Sequence, residues 1–177
     1  VGLADGQWFV FSDPRRFGHL DLLDSGKEEA HPLLSGMGVE PLSNHFSPAY
    51  LDRVLAARKQ PIKTALLDQR LIAGLGNIYV SEALFRAGIS PRRQARNIAG
   101  KRSERLVTAI RATLTEAISA GGTSLRDHIQ PGGEIGYFAQ NLKVYGREGA
   151  ACLVCYKPIK MIRQGGRSGF YCPNCQL

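Results

Sequence analysis

IKTALLDQRLIAGLGNIYVSEALFRAGISP, residues Ile62 to Pro91, carries two short helical patterns split by a glycine turn. Pro61 stands where a helix takes its first residue, because a proline there forfeits only an N–H that would be unpaired anyway. Ile62, Ala65 and Leu66 recur at helical spacing and predict a short apolar face. Gly74 and Gly76 favour a turn, with Asn77 as the N-cap of a second helix over Ile78 to Ala87. On that helix Ile78/Phe85 and Val80/Leu84 form the apolar pairs, and Glu82 and Arg86 are expected to pair on the wet side. Gly88 and Pro91 close it. The second helix would present free N–H groups and an amide side chain at its start, with Lys63 and Arg70 near by, which favours an anion such as phosphate. An ordinary capped helix pair in a core is the competing reading. GLGNIY lacks the third glycine of a dinucleotide fingerprint and the Gly-Lys-Ser/Thr of a P-loop, so a nucleotide cofactor is a poor fit.

Charge points the same way. The 177-residue chain carries a net charge of +8 with 44% hydrophobic residues, which describes a globular chain with a polyanionic partner. Between Arg53 and Arg111 there are 13 Lys/Arg and only three acids, Asp68, Glu82 and Glu104. The first forty residues carry no such excess. No apolar run is long enough to cross a bilayer, and Val1 opens no signal-peptide pattern.

Working outward, Gln7-Trp8-Phe9-Val10-Phe11 and His19-Leu20-Asp21-Leu22-Leu23 read as strands, with a hairpin turn at Ala4-Asp5-Gly6. So few strands cannot form a stable sheet alone, and the chain is expected to begin partway through a larger β domain. Arg15 and Phe17 put a cation and a wedge-sized aromatic on one tight loop, a pair able to enter a DNA groove. A turn arginine and a core phenylalanine are the plainer alternative. Residues 25–44 are polar and broken by glycine and proline, as in a linker. Ser47-Pro48 starts a helix through Leu51 and Leu55. A longer helix runs from about Ser103 to Ala120, with Leu106, Ile110, Leu114 and Ile118 at four-residue spacing and Arg102, Arg105 and Arg111 off that face. Thr123 to Leu142 is loop-like, and a loop of that length is usually functional or disordered; Tyr137 and Phe138 argue against disorder.

All four cysteines lie near the C-terminus, as Cys152-Leu-Val-Cys155 and Cys172-Pro-Asn-Cys175 separated by sixteen residues. Two Cys-x-x-Cys knuckles at that separation fit one tetrahedral Zn2+ held by four thiolates. The site leaves no open ligand position, so the metal is expected to be structural. Met161-Ile162-Arg163 and Gly169-Phe170-Tyr171 can flank a hairpin turn at Gly165-Gly166. A tail this short buries little apolar surface, and the metal must supply much of its folding free energy. Arg163 and Arg167 on the hairpin can reach a DNA backbone.

Taken together these segments resemble the formamidopyrimidine-DNA glycosylase family, bacterial enzymes that excise oxidised purines such as 8-oxoguanine. The resemblance is carried by Asp13-Pro-Arg-Arg-Phe-Gly18, Leu67-Asp68-Gln69, Gly74-Leu-Gly-Asn-Ile-Tyr79 with Ser81-Glu82, Gly121-Gly-Thr-Ser-Leu-Arg126, Gly136-Tyr-Phe-Ala139, Val144-Tyr-Gly-Arg147 and the cysteines with Phe170-Tyr171. It covers nearly the whole chain, in the family's order. It implies a fold that is mainly α with β: the end of a β-sandwich domain over residues 1–30, a linker over 31–46, a helix-two-turn-helix domain over 47–122, a lesion-recognition loop over 123–142 and a β-hairpin zinc finger over 143–177. Carried over by position, Lys63 and Asn77 look like backbone-phosphate contacts and Arg58 like a further basic DNA contact. Arg167 is similar to the zinc-finger arginine that holds phosphate and assists the final elimination. Arg15 and Phe17 match residues that enter the duplex, and the loop from Ser124 to Tyr137, with Arg126 at its start, matches the one that closes over the flipped base. The implied partner is double-stranded DNA with an oxidised base or abasic site, bound by a monomer in the bacterial cytoplasm.

One departure is large. The family's nucleophile is an N-terminal proline followed by glutamate, and its sheet domain supplies a catalytic lysine. Here Val1-Gly2-Leu3 matches the middle of that domain, and no residue can be assigned as nucleophile. The expectation is the C-terminal portion of a glycosylase/AP lyase that binds DNA without cutting it. Within the family, the endonuclease VIII branch removes oxidised pyrimidines; Asp-Pro-Arg-Arg-Phe-Gly and the loop Gly133–Tyr137 favour the purine branch. A non-catalytic DNA-binding module, or a zinc-ribbon protein for RNA or another protein, are the readings from other classes.

Overall fold

The structure, a computed structural model, describes residues 1–13, 16–123 and 137–177. It divides into two compact units, Val1–Gly36 and Met37–Leu177.

In the first unit the hairpin turn at Ala4-Asp5-Gly6 forms, with Gly6 at φ 82° and Asp5 Oδ1 accepting the Gln7 N–H at 3.0 Å. Val1 and Phe9 exchange hydrogen bonds at 2.8 Å, and Gly2 bridges Trp8. The expected strands go no further. Among the described residues of this unit there is no strand ladder, only that bridge and a 3-10 turn at Glu28–Ala30. The reason is physical: a strand is stabilised by a neighbour's N–H and C=O groups, and two short segments supply too few. Trp8, Val10 and Leu22 consequently stand 76%, 77% and 94% exposed.

The second unit is helical with a C-terminal hairpin: α1 (Pro48–Leu55), α2 (Ile62–Leu66), α3 (Asn77–Arg86), α4 (Lys101–Ser119), then β1 (Lys160–Gln164) and β2 (Arg167–Tyr171). Helix α1 starts as the sequence predicts, with the Ser47 hydroxyl accepting the Tyr50 N–H at 3.1 Å and Pro48 in the first turn. Pro61 lies one residue before α2, in the cap position and not inside the helix. Ile62, Ala65 and Leu66 are fully buried. They join Leu51, Leu55, Val80, Leu84, Leu106 and Ile110 in one core.

Two corrections concern the longer helices. Gly76, not Asn77, occupies the N-cap of α3, and Asn77 is its first helical residue. On α4 Leu106 and Ile110 are buried, but Ile118 is 65% exposed and Ala117 takes its place in the core. A strict four-residue step outruns the 3.6-residue turn by about 40° each time, so by the fourth position the side chain has left the core face. Arg111 does not remain in solvent either. It donates to the Ser43 and Phe46 carbonyls at 2.7 and 2.8 Å. Those bonds tie the second half of the expected linker to the helices, as do Gly38 N–H to Gln69 O at 2.8 Å and a Val39–Ile72 bridge.

The C-terminal hairpin forms around the expected turn, with Met161 opposite Phe170 and Gln164 opposite Arg167. Its two-residue turn uses Gly165 and Gly166 at φ 54° and 74°, the positive-φ pair that a tight hairpin twist requires. β2 packs on α3. No helix among the described residues is long and apolar enough to cross a membrane.

Candidate nucleic-acid interface and metal centre

Three residues that the sequence singles out from distant positions meet at one place. Helix α2 carries Lys63 inward, fully buried, with Nζ donating to the Arg167 carbonyl at 3.3 Å and the Ser168 carbonyl at 3.4 Å. The start of α3 brings Asn77, whose Nδ2 donates to the same Ser168 carbonyl at 2.9 Å. Asn77 is therefore not a cap; its amide fastens the hairpin, and its Oδ1 is buried without a partner among the described residues. The hairpin comes this close because position 169 is glycine: a Cβ there would lie 2.7 Å from Lys63 Cε. The Arg167 side chain stays exposed.

The electrostatics of this spot are unusual. Lys63 makes no ion pair among the described residues. Burial pushes its ammonium below the ordinary lysine range, and the Arg167 charge pushes it further. Two long hydrogen bonds to carbonyls are weak compensation for a buried cation. The α3 N-terminus adds a positive dipole end beside it. An anion bound here would relieve Lys63 and Arg167 together. Arg70, by contrast, contributes little, because Asp68 holds it at 3.0 and 3.3 Å.

The loop between the helices is organised by Gln69, whose Oε1 accepts the Gly74 N–H at 2.7 Å and whose Nε2 donates to the Leu75 carbonyl at 3.2 Å. Arg58 is held back by the fold: Nε donates to the Val54 carbonyl at 3.0 Å, and a guanidinium nitrogen lies 3.8 Å from Asp68. Phe17 is 83% exposed on a loop that Asp13 pins by accepting the Gly18 N–H. Arg15 lies outside the described residues, as do Arg126 and all of the expected Ser124–Tyr137 loop except its last residue. Tyr137 is 64% exposed and bridges Thr123, whose hydroxyl meets Tyr79 Oη at 3.0 Å. Phe138 then turns in against Tyr79, with ring centroids 5.9 Å apart.

Glu82 is the residue whose place sequence reasoning misjudges. It is 6% exposed, and its carboxylate accepts the backbone N–H groups of Lys143, Val144 and Tyr145 at 2.9, 3.0 and 2.8 Å. These three bonds fix where the chain enters the zinc-binding tail. Arg86 pairs with Glu116 instead, in a two-bond fork of 2.8 and 2.6 Å. The only sequence signal for this role is the Ser81-Glu82 pair among the motifs of the resemblance; the partner backbone is about sixty residues away.

The four cysteines converge as the knuckle spacing predicts. Their sulfurs all lie within 4.8 Å of one another, with Cys155–Cys172 at 3.4 Å and Cys152–Cys175 at 3.9 Å. Disulfides would need roughly 2.05 Å. Four thiolates around Zn2+ with bonds of about 2.3 Å sit roughly 3.8 Å apart, so the residues fit one structural zinc. The Lys157 backbone N–H brings the Cys155 thiol down to about 7, whereas burial pushes the Cys172 and Cys175 thiols up; a bound metal would hold all four as thiolates. A small core of Val144, Cys152, Ile159 and Cys172 surrounds the cluster, with Phe85 and Phe170 packed against it.

Residues 37–128 match the formamidopyrimidine-DNA glycosylase H2TH domain, and residues 149–177 match the zinc finger found in FPG and IleRS. The chain is 56% identical over 175 residues to the formamidopyrimidine-DNA glycosylase of Chelativorans sp. (strain BNC1), covering 94% of this chain and 59% of that protein. It is 54% identical over 181 residues to the one from Rhodospirillum centenum, covering 99% and 62%. The crystal structure of the MutM (Fpg) protein from Thermus thermophilus superposes with a TM-score of 0.86 at 45% identity, over 93% of this chain and 62% of that one. Lactococcus lactis Fpg in complex with an abasic site containing DNA gives 0.85 at 34% identity, over 93% and 60%. The chain thus spans about three-fifths of the length of the curated relatives it matches.

Proposed function

The chain belongs to the formamidopyrimidine-DNA glycosylase family, and from that premise we propose that it is the DNA-clamping and lesion-reading portion of a base-excision repair glycosylase/AP lyase for oxidised purines. The convergence of Lys63, Asn77 and the Arg167–Ser168 hairpin on one spot carries this reading. A DNA phosphate seated on the hairpin would meet the exposed Arg167 guanidinium, with the buried Lys63 ammonium and the N-terminal end of α3 adding positive field behind it. Phosphate contacts fix register on the duplex and carry no sequence information. Lesion reading falls to Arg15 and Phe17, which enter the stack, and to the loop from Ser124, through Arg126, to Tyr137, which closes over the extruded base. Their insertion offsets the few kcal/mol, roughly, that unstacking a base costs. Arg58 adds a basic contact at the edge.

The covalent step is assigned to no residue of this chain. In the parent protein a terminal proline amine attacks the sugar C1′, the base leaves and a Schiff base leads on to strand cleavage. Arg167 supports the final elimination by holding the phosphate. Residues 1–30 supply the end of a β-sandwich whose remaining strands belong to the parent, which accounts for the exposed Trp8, Val10 and Leu22. Residues 31–46 link it to the helix-two-turn-helix domain over 47–122, the recognition loop spans 123–142 and the zinc finger 143–177. The parent is a monomeric cytoplasmic repair enzyme.

Arg167→Ala tests the clamp. It is expected to weaken binding to a duplex containing an abasic analogue and to lower the slope of log K against log salt by about 0.9, one phosphate contact. A slope equal to that of the unaltered chain removes Arg167 from the interface.

A further inference from the structure

We propose that Arg92, Arg93, Arg96, Lys101, Arg102 and Arg105 form a second phosphate-binding track that grips the duplex beyond the lesion. It rests on the reading of Lys63, Asn77 and Arg167 as a phosphate clamp and extends it. Six cations fall between positions 92 and 105 with Glu104 as the one acid among them. Arg93 is half-buried and the other five are exposed. None of the six forms an ion pair among the described residues.

The track starts at the clamp. Gln164, the cross-strand partner of Arg167, donates from Nε2 to the Pro91 carbonyl at 3.4 Å. Arg93 donates from Nε to the Leu177 carbonyl at 3.3 Å, and its own carbonyl accepts the Ile62 N–H at 2.7 Å, one residue before Lys63. The Arg96 N–H in turn donates to the Arg58 carbonyl at 2.9 Å. From there the chain turns at Gly100 into α4, where Ala99, Lys101, Arg102, Glu104 and Arg105 line a shallow hollow.

Local energetics disfavour this arrangement. Lys101 and Arg102 occupy the first turn of α4, where the helix dipole repels cations, and no side chain of Gly100 caps that end. The acids facing it are Glu104 and Asp52, whose Oδ2 accepts the Gly100 N–H at 3.5 Å. Two cations kept at the positive end of the helix dipole, within a run of six, go against a local rule in the way a surface held for an anion does. A duplex presents one negative charge per roughly 1.7 Å of axis, so a basic surface continuous with the clamp meets flanking phosphates whatever their sequence.

The test is length dependence. The zinc-loaded chain and the variant R96E/R102E/R105E are titrated with abasic-analogue duplexes of about 12 and about 30 base pairs, roughly one and three helical turns. The unaltered chain is expected to bind the long duplex at least about tenfold more tightly, with a salt slope steeper by about 0.9 for each added phosphate. The variant is expected to bind both lengths as the unaltered chain binds the short one. A variant that keeps its zinc, its helix content and the full length dependence overturns the track and leaves the clamp standing. Failure of the unaltered chain to bind either duplex overturns both.

Discussion

Cys172→Ser is expected to release the metal, unfold the tail from about Lys143 onward and reduce binding to an abasic-analogue duplex by more than about a hundredfold. Apparent zinc-binding free energies in zinc fingers are about 10–16 kcal/mol, and the apolar cluster around the cysteines is too small to replace that. The loss reaches the clamp because Lys63 and Asn77 are fastened to hairpin carbonyls. Without the hairpin, Arg167 is no longer held beside them. The helices keep their own core, so far-UV circular dichroism retains its helical signal while zinc content falls from one per chain to none. A fully folded, zinc-loaded variant would refute the four-cysteine site.

Lys63→Met separates function from stability. Lys63 is buried, unpaired with any acid among the described residues and held by two long hydrogen bonds. Methionine has a similar length and no charge to desolvate, so the unliganded variant is expected to melt at the same temperature as the unaltered chain or higher. Binding to the abasic duplex is expected to fall by about tenfold, roughly 1.4 kcal/mol, as the field of a buried and poorly screened charge behind the bound phosphate is lost. The pH dependence carries a matching sign. Lys63 titrates lower folded than unfolded, so between those two values the unfolded chain holds more protons and stability rises with pH. The stability burden is greatest below the depressed folded value and is gone above the ordinary lysine range. Lys63→Met removes that rise. A variant that melts well below the unaltered chain would mean that Lys63 serves the fold and not a ligand.

What the sequence made legible was whatever depends on neighbours along the chain. Ser47-Pro48 identified its own helix start, Gly165-Gly166 its own turn, and the cysteine spacing its own metal site, because each is decided within a few residues. Asn77 looked like a cap for the same local reason, yet its amide bonds Ser168, ninety-one positions on, and Gly76 caps in its place. Glu82 stands four residues before Arg86 and should by local rules face water with it. A backbone segment some sixty residues away takes the carboxylate, and Glu116 takes the arginine. The strands read over Gln7–Phe11 and His19–Leu23 form no ladder among the described residues, because two short segments offer each other too few N–H and C=O partners.

The claim that Lys63, Asn77 and the Arg167 hairpin form one phosphate clamp is tested most directly by NMR titration of the zinc-loaded, isotope-labelled chain with an abasic-analogue duplex. The largest shifts are predicted at the Asn77 side-chain amide, the Lys63 ammonium and the Arg167–Gly169 backbone. Saturable binding that leaves all of these resonances in place would contradict the account.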